Sequence, residues 1–150
     1  MEFHKQLIFG KINRILKEAQ GLGATQAQAS ITLENLSLTR LANSIIDQNV
    51  SEKHATVSVT LYYGKKSGTV SSEVFDDEGI RRLVKTAEKI AQVSPENKDF
   101  KSLPEPKPIP ELPFDKMVSK TTLDADPEKR AELATLAVNT AHSVDKRVDA

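Results

Sequence analysis

The side chains best suited to metal binding or catalysis are few and widely separated in this sequence. The histidines are His4, His54 and His142, and there is no cysteine. A helical zinc site needs two histidines one turn apart, so that both rings face one ion. The three histidines do not have that spacing, and the lack of cysteine excludes thiolate ligands, disulfides and a cysteine nucleophile within the chain. We therefore predict no metal ligand and no cofactor-binding residue in this chain.

Acidic side chains and serines also lack a catalytic arrangement. Asp76, Asp77 and Glu78 are adjacent, and Asp124 and Asp126 form a second group. Both groups precede stretches with helical periodicity, where helix capping accounts for them. The sequence has no G-x-S-x-G nucleophile motif, and its glycine pair at 21 and 23 follows a helix, the reverse of a phosphate loop. We predict no catalytic residue.

The charge balance bears on possible partners. Lysine plus arginine equals aspartate plus glutamate at 21 each, so the formal net charge is zero. A nucleic-acid-binding protein normally carries a basic excess, so we expect no direct nucleic-acid contact. Tyr62, Tyr63 and Lys65 suggest base stacking, but neighbouring tyrosines on one strand face opposite sides.

Because no apolar stretch approaches about 20 residues and no signal peptide is evident, we also expect no membrane partner and a cytoplasmic location.

Periodicity predicts the elements of the first two thirds of the chain. An amphipathic helix is expected from Phe3 to Ala19, and a half-buried strand from Gln26 to Leu33. We expect a turn near Asn35, one or two short strands through Gln48, and a polar loop over residues 49–53. Then come a strand from His54 to Tyr63, a glycine turn at 64–68, a return strand at 69–75, and a helix capped by Asp76 or Asp77.

The last third has a different composition. Five prolines between Leu103 and Pro113 remove backbone donors and exclude regular structure there. This strap could bind a proline-recognising groove, or lie on the surface anchored by apolar residues, namely Ile109, Leu112 and Phe114. A helix is expected from Asp126, with an apolar stripe listed as Ala131, Ala134, Leu136 (or Leu133), Ala137, Ala141 and Val144. Residues 148–150 resemble the start of another strand, so the sequence reads as part of a longer fold.

Together these elements predict an α+β fold, with a mostly antiparallel sheet covered by helices. We divide the chain into an N-terminal α+β domain at residues 1–102, a proline-rich strap at 103–125, and a helix at 126–150 that leads into a further part of the fold.

The stretch from Thr39 to Asn49 is polar in a way that neither capping nor a generic core explains. It combines an arginine, Arg40, with amides that include Asn43 and Gln48. A hydrogen-bond network at a sheet edge is the structural interpretation.

The same stretch resembles the T-R-F-A-N-N/S-x-I-H-Q-N block of the TldD/PmbA metallopeptidase family, also named as modulators of DNA gyrase. Three further segments resemble that family in the same order: the strand and glycine turn at 57–68, the helix end at 87–91, and the S-P-x-n-x-x-F-x-x-L-P loop at 94–104. Leu41 and Asp47 depart from the phenylalanine and histidine common in the family. Arg40, Asn43 and Gln48 match well enough to be nominated as structural or interface residues.

The resemblance implies that this chain is the non-catalytic N-terminal domain of a zinc peptidase that processes peptides. The zinc and an H-E-x-x-x-H helix would belong to the full-length parent. The expected partners are the remainder of its own chain, a related subunit in a homo- or heterodimer, and a peptide substrate of the full protein. The alternative is a standalone module that binds a partner through a sheet edge or the proline strap. A small independent hydrolase is disfavoured because no triad, metal set or phosphate loop is visible.

Overall fold

A computed structural model describes residues 5–105, 107–108 and 113–148, without the side chains of residues 114 and 115. The chain forms two compact units, and two of its strands contribute to both. The first unit holds Met1–Glu34 and Lys53–Pro106, and the second holds Asn35–Glu52 and Lys107–Ala150. The elements in chain order are α1 (Lys5–Gly21), β1 (Gln26–Ala42), β2 (Ile45–Tyr63), β3 (Lys66–Ser72), α2 (Asp77–Val93), α3 (Phe114–Met117), α4 (Lys120–Leu123) and α5 (Pro127–Val144).

The sheet is antiparallel where its register is described. Its three strands lie in the order β1-β2-β3. Val57 of β2 lies opposite Ser72 of β3, and the pairing runs to Tyr63 opposite Lys66. Gly64 in the connecting turn has φ 61°, a left-handed conformation that glycine adopts without a steric penalty. The predicted α+β class with a mostly antiparallel sheet is confirmed.

The helix starts follow the predicted capping chemistry. Asp76 accepts a hydrogen bond from the backbone N–H of Gly79 at 2.7 Å and so caps α2. Asp126 does the same for the N–H of Lys129, also at 2.7 Å, with Pro127 in the first turn of α5. Each carboxylate satisfies a backbone donor that has no partner inside its helix. The acids that could have suggested a catalytic pair therefore serve helix geometry.

The core of the first unit lies between the sheet and helices α1 and α2. Odd-numbered residues of β2 meet the apolar stripes of both helices, since alternate strand residues share one face. The fully or nearly fully buried members are Ile15, Ala19, Val57, Val59, Leu61, Ile80, Leu83, Val84 and Ala87. Gly68 of β3 lies against the backbone of α2, where a Cβ would be 2.5 Å from the nitrogen of Ala91. The helix can approach the strand this closely only because position 68 has no side chain.

Two local predictions about the sheet are wrong. Asn35 does not turn the chain, and residues 49–53 are not a loop, because both lie inside the long strands β1 and β2. The turn lies at Asn43 and Ser44 instead. Polar residues do not interrupt these strands, because a hairpin that is largely exposed accepts polar side chains throughout its length.

The stripe predicted for α5 is also partly wrong. Val138, outside that stripe, is 7% exposed and is the only buried hydrophobic residue among those described in the second unit. Leu136 and Val144, which the stripe included, are 59% and 84% exposed. Periodicity identified the helix but not the side that packs, because small alanines on several sides leave the apolar face poorly defined.

The proline-rich region is partly described. Residues 103–105, 107–108 and 113 have no regular structure, and the short helices α3 and α4 follow within the segment assigned to the strap. Positions proposed as anchors, Ile109, Leu112 and the Phe114 side chain, lie outside the described residues, as do His4, Asp149 and Ala150. The boundaries at 102 and 125 stay a prediction. Within the described residues, none of the helices has the length and apolar character needed to span a membrane.

Candidate functional site

The turn between β1 and β2 is built from two residues in the left-handed region. Asn43 has φ 53° and Ser44 has φ 60°. Two-residue turns with positive φ at both positions match the twist of paired strands, and asparagine tolerates this conformation better than most residues do. Asn43 therefore has a backbone role that its side-chain chemistry alone does not indicate.

Helix α5 is attached to this hairpin through one arginine. The guanidinium of Arg130 donates to Thr39 Oγ1 at 3.3 Å, to Asn49 Oδ1 at 3.1 Å and to the carbonyl oxygen of Ala125 at 2.8 Å. Thr39 also donates to Asn49 Oδ1 at 3.2 Å. Arginine suits this position because its planar fork presents several donors in fixed directions. The arrangement ties both strands of the hairpin to the start of α5.

A second contact lies nearer the turn. Ser44 Oγ and His142 Nε2 are 3.4 Å apart, at hydrogen-bond distance. Arg130 and His142 are both on α5, so the helix meets the hairpin at two points about three turns apart. These contacts give a structural role to three polar residues of the stretch from Thr39 to Asn49, namely Thr39, Ser44 and Asn49.

The nominated residues lie on the same hairpin but do not form a cluster. Arg40, Asn43 and Gln48 are exposed. Within the part of the chain that the structure describes, none of the three side chains makes a hydrogen bond or an ion pair. Arg40 follows Thr39 in β1 and so points away from the face that contacts α5. Asn43 is explained by the turn, whereas a role for Arg40 and Gln48 at an interface remains a prediction.

Arg130 does not stand out in the sequence as a partner of this segment. It lies 81 residues after Asn49 and 91 after Thr39. In the sequence it sits on a helix that begins with Pro127, where a basic residue is usually assigned to a solvated face. No local pattern identifies it, because the contact depends on how a separate helix packs against the hairpin.

The other residues considered for chemistry have structural partners in the first unit. His54 Nδ1 lies 3.8 Å from a carboxylate oxygen of Glu73. Glu78 pairs with Arg82 at 3.2 Å on the surface of α2. Asp77 forms a salt bridge with Arg14, which joins α2 to α1. Within the described ranges, no three side chains among histidine, aspartate and glutamate converge to hold a metal ion. These residues therefore do not fit a zinc site.

Two environments in the first unit shift ionisation. The hydrogen bond from Arg14 holds the pKa of Asp77 below its ordinary value, because the charged carboxylate is the better acceptor. Burial raises the pKa of Tyr63, whose hydroxyl donates to the carbonyl oxygen of Leu22 at 3.2 Å. Asp77 is paired with a guanidinium, and Tyr63 donates to a backbone carbonyl oxygen, so both shifts describe packing.

The outer face of the hairpin presents two exposed leucines. Leu36 and Leu38 alternate with Thr39, so they lie on the side of β1 opposite the contact with α5. Each of them is 40% exposed. We call these two residues the outer stripe. Arg40 follows them on the same face of β1 and is exposed as well.

The hairpin is also where a known family matches. The profile described as PmbA/TldA metallopeptidase domain 1 matches residues 34–91, from the second half of β1 to the end of α2. Over these residues the chain is similar to the first domain of TldD/PmbA proteins. The match includes the hairpin with Arg40, Asn43 and Gln48, so the resemblance inferred from the sequence motifs is confirmed.

Two solved structures share the fold of this chain. TldE from Thermococcus kodakarensis matches with a TM-score of 0.76 and 16% identity, over 91% of this chain and 30% of the TldE chain. A Thermotoga maritima protein, named as a modulator of a DNA gyrase, matches with a TM-score of 0.51 and 21% identity, over 80% of this chain and 28% of its own. The chain therefore spans less than a third of either protein. A comparison with curated protein sequences finds no match.

Proposed function

We propose that this domain is a non-catalytic scaffold of a TldD/PmbA-like zinc metallopeptidase that processes peptides. In this proposal the domain walls the substrate cleft and makes subunit contacts, and the remainder of the chain supplies the catalytic domain. The family match supports it, since its profile is described as a metallopeptidase domain 1. The share of the TldE chain that is covered supports it too, because most of that chain lies outside the matching domain.

The observation that carries the proposal is the outer stripe. An antiparallel hairpin commonly has one apolar face and one solvated face. Here one face meets α5, and the other presents Leu36 and Leu38, each 40% exposed. A face of this kind is typical of a surface that another polypeptide covers. The occupant we propose is the remainder of the same polypeptide, with the hairpin acting as the connection to the catalytic part.

The remaining parts of the proposal follow from the family. Zinc would be bound by an H-E-x-x-x-H helix outside this chain, since the described residues do not fit a metal site. The protein would work in the cytoplasm as a homo- or heterodimer with a related subunit. A net charge of zero gives no support for direct DNA contact.

The test begins with the gene. The full reading frame is expressed next to the 150-residue chain, and both are assayed for bound zinc and for peptide cleavage. We expect stoichiometric zinc and cleavage in the longer product only. Stoichiometric zinc or cleavage in the 150-residue chain would overturn the scaffold assignment, and so would a full-length product without a zinc-binding helix.

A second experiment addresses the stripe. Leu36→Glu with Leu38→Glu is compared with Gln28→Glu with Ser30→Glu, which adds the same two charges to exposed positions on the same face of β1 but at its other end. Binding of the 150-residue chain to the separately expressed remainder is measured by calorimetry. We expect the stripe variant to lose about tenfold or more in affinity, since burial of a leucine contributes roughly 1.5–3 kcal/mol. Equal binding by both variants would rule out the stripe as the docking surface.

A standalone interaction module is the second candidate. The strand order β1-β2-β3 places β1, which is 17 residues long, at an edge of the sheet. An edge strand of this length can pair with an extended peptide. A reading frame that stops after Ala150, together with capture of an extended peptide along β1, would favour this candidate over the scaffold.

A further inference from the structure

A basic cleft lies at the end of the β2–β3 hairpin in the first unit. It is lined by Thr25, Gln26, Gly64, Lys65, Lys98, Phe100 and Lys101 and has a volume of about 590 Å³. Three of these residues carry positive charge, and no carboxylate is among them. The cleft is therefore positively charged, although the net charge of the whole chain is zero.

The loop that carries two of these lysines is held in place. The backbone N–H of Asn97 donates to the carbonyl oxygen of Lys65 at 2.9 Å, and the N–H of Leu103 donates to Gln26 Oε1 at 3.0 Å. Between these points the ring of Phe100 stacks on Tyr62, with centroids 4.5 Å apart and planes 9° from parallel. The loop is therefore attached to the hairpin and to β1 before any ligand arrives.

The same contacts determine which groups remain for a ligand. Lys65 Nζ donates to the carbonyl oxygen of Lys98 at 3.3 Å, which uses one of its three donors. Gln26 accepts through its oxygen, which leaves its NH₂ group as a donor. The Gly64 N–H already donates to Thr25 Oγ1 at 3.1 Å. The cleft thus offers ammonium and amide donors, a set that suits an anionic acceptor.

We propose that this cleft binds carboxylate side chains of an acidic peptide segment. Tyr62 and Phe100 stack on each other, so each already uses one ring face, and they do not form an open platform for successive bases. Three separated lysines and an amide beside an apolar ring fit carboxylates spaced along a polypeptide. The proposal names a ligand class for the peptides in the proposed function and rests on it. The test measures binding and not cleavage, so the acidic-peptide proposal and the proposed function can fail independently of each other.

The test uses the 150-residue chain and a fluorescent peptide with six consecutive glutamates. Controls are the same peptide with glutamines, an oligothymidine and inorganic phosphate. At low salt we expect the glutamate peptide to bind about tenfold more tightly than the glutamine peptide, because each exposed ion pair contributes a factor of a few. The preference should shrink as salt screens the charges. Equal affinity for both peptides, or tighter binding of the oligothymidine, would overturn the proposal.

Variants separate this cleft from overall charge. Lys65→Gln, Lys98→Gln and Lys101→Gln together should abolish the preference for glutamate. The control removes three lysines that are exposed on the helices, by Lys17→Gln, Lys85→Gln and Lys89→Gln. It should leave the preference intact, and an equal loss in both triple variants would contradict the assignment.

A further variant keeps every charge. Phe100→Ala removes the ring stack that holds the loop, so we expect binding to weaken severalfold while the melting temperature stays within a few degrees. Unchanged binding would show that the lysines act as free surface charges, which would overturn a preformed cleft.

Discussion

Arg130 Nη2 lies 3.1 Å from Asn49 Oδ1, although the two residues are 81 positions apart in the sequence. The contact joins helix α5 to strand β2 within the second unit. In that unit, Val138 alone among the described hydrophobic residues is buried. Because so little apolar surface is removed from water there, polar contacts carry more of the stability of that unit than is usual.

Replacement of Arg130 tests this role. Arg130→Gln removes donors to Thr39, Asn49 and the Ala125 carbonyl, and we expect a loss of about 1–3 kcal/mol in local stability. Hydrogen exchange of the β1–β2 hairpin and α5 amides measures it. The control is Lys129→Gln, which removes an exposed pair with Glu132 and should change stability by less than about 1 kcal/mol. Equal protection in both variants would contradict a structural role for Arg130.

Gly68 provides a test of the helix–strand packing in the first unit. A Cβ at position 68 would clash with the α2 backbone, because it would lie only 2.5 Å from the Ala91 nitrogen, which is shorter than a van der Waals contact. Gly68→Ala should therefore lower the free energy of unfolding by about 3 kcal/mol. Gly10→Ala is the control, since no atom lies within 4 Å of its added methyl group. It should raise stability by about 0.5–1 kcal/mol because alanine favours helix. Urea denaturation measures the free energy of unfolding of both variants and shows whether each substitution lowers or raises it.

The left-handed turn predicts opposite effects for two substitutions at one position. Asn43→Val should destabilise the hairpin by about 1–2 kcal/mol, because a β-branched residue is poorly accommodated at φ 53°. Asn43→Gly should be neutral or slightly stabilising. Protection of the Ala42 and Ile45 amides reports on the turn. If the amides are equally protected in the valine and glycine variants, the left-handed backbone conformation does not explain the asparagine at position 43.

The salt bridge between Arg14 and Asp77 predicts a pH dependence. The pKa of Asp77 is lowered in the folded chain by the hydrogen bond from Arg14. The contribution is therefore fully present above the unfolded pKa of about 3.9 and is lost as the pH falls through the lower folded pKa. Asp77→Asn should reduce stability at pH 7 and make its decline below about pH 4 shallower.

Urea unfolding from pH 7 to pH 3 measures that decline. A double-mutant cycle with Arg14→Gln isolates the pair, because the second substitution should have little further effect once Asp77 is replaced. Additive effects of the two substitutions would indicate that the residues act independently.

Local chemistry in the sequence was sufficient for most element types. The alternation from Ala55 to Tyr63 predicted the central strand, and Asp76 and Asp126 predicted two helix starts, because strand period and capping depend on neighbouring residues. Motif resemblance located the hairpin block without showing what it contacts. The polar stretch from Asn49 to Lys53 was misassigned, since its pairing partner lies in another strand.

Tertiary packing decided what joins these elements. Arg130 is the partner of Thr39 and Asn49, and Val138 is the buried residue of α5. Neither follows from periodicity. Arg130 contacts residues more than 80 positions away in the sequence, and the side of α5 that is buried depends on how the helix packs. The outer stripe is a tertiary feature as well. Leu36 and Leu38 read as ordinary strand residues in sequence, and their exposure follows from α5 occupying the opposite face.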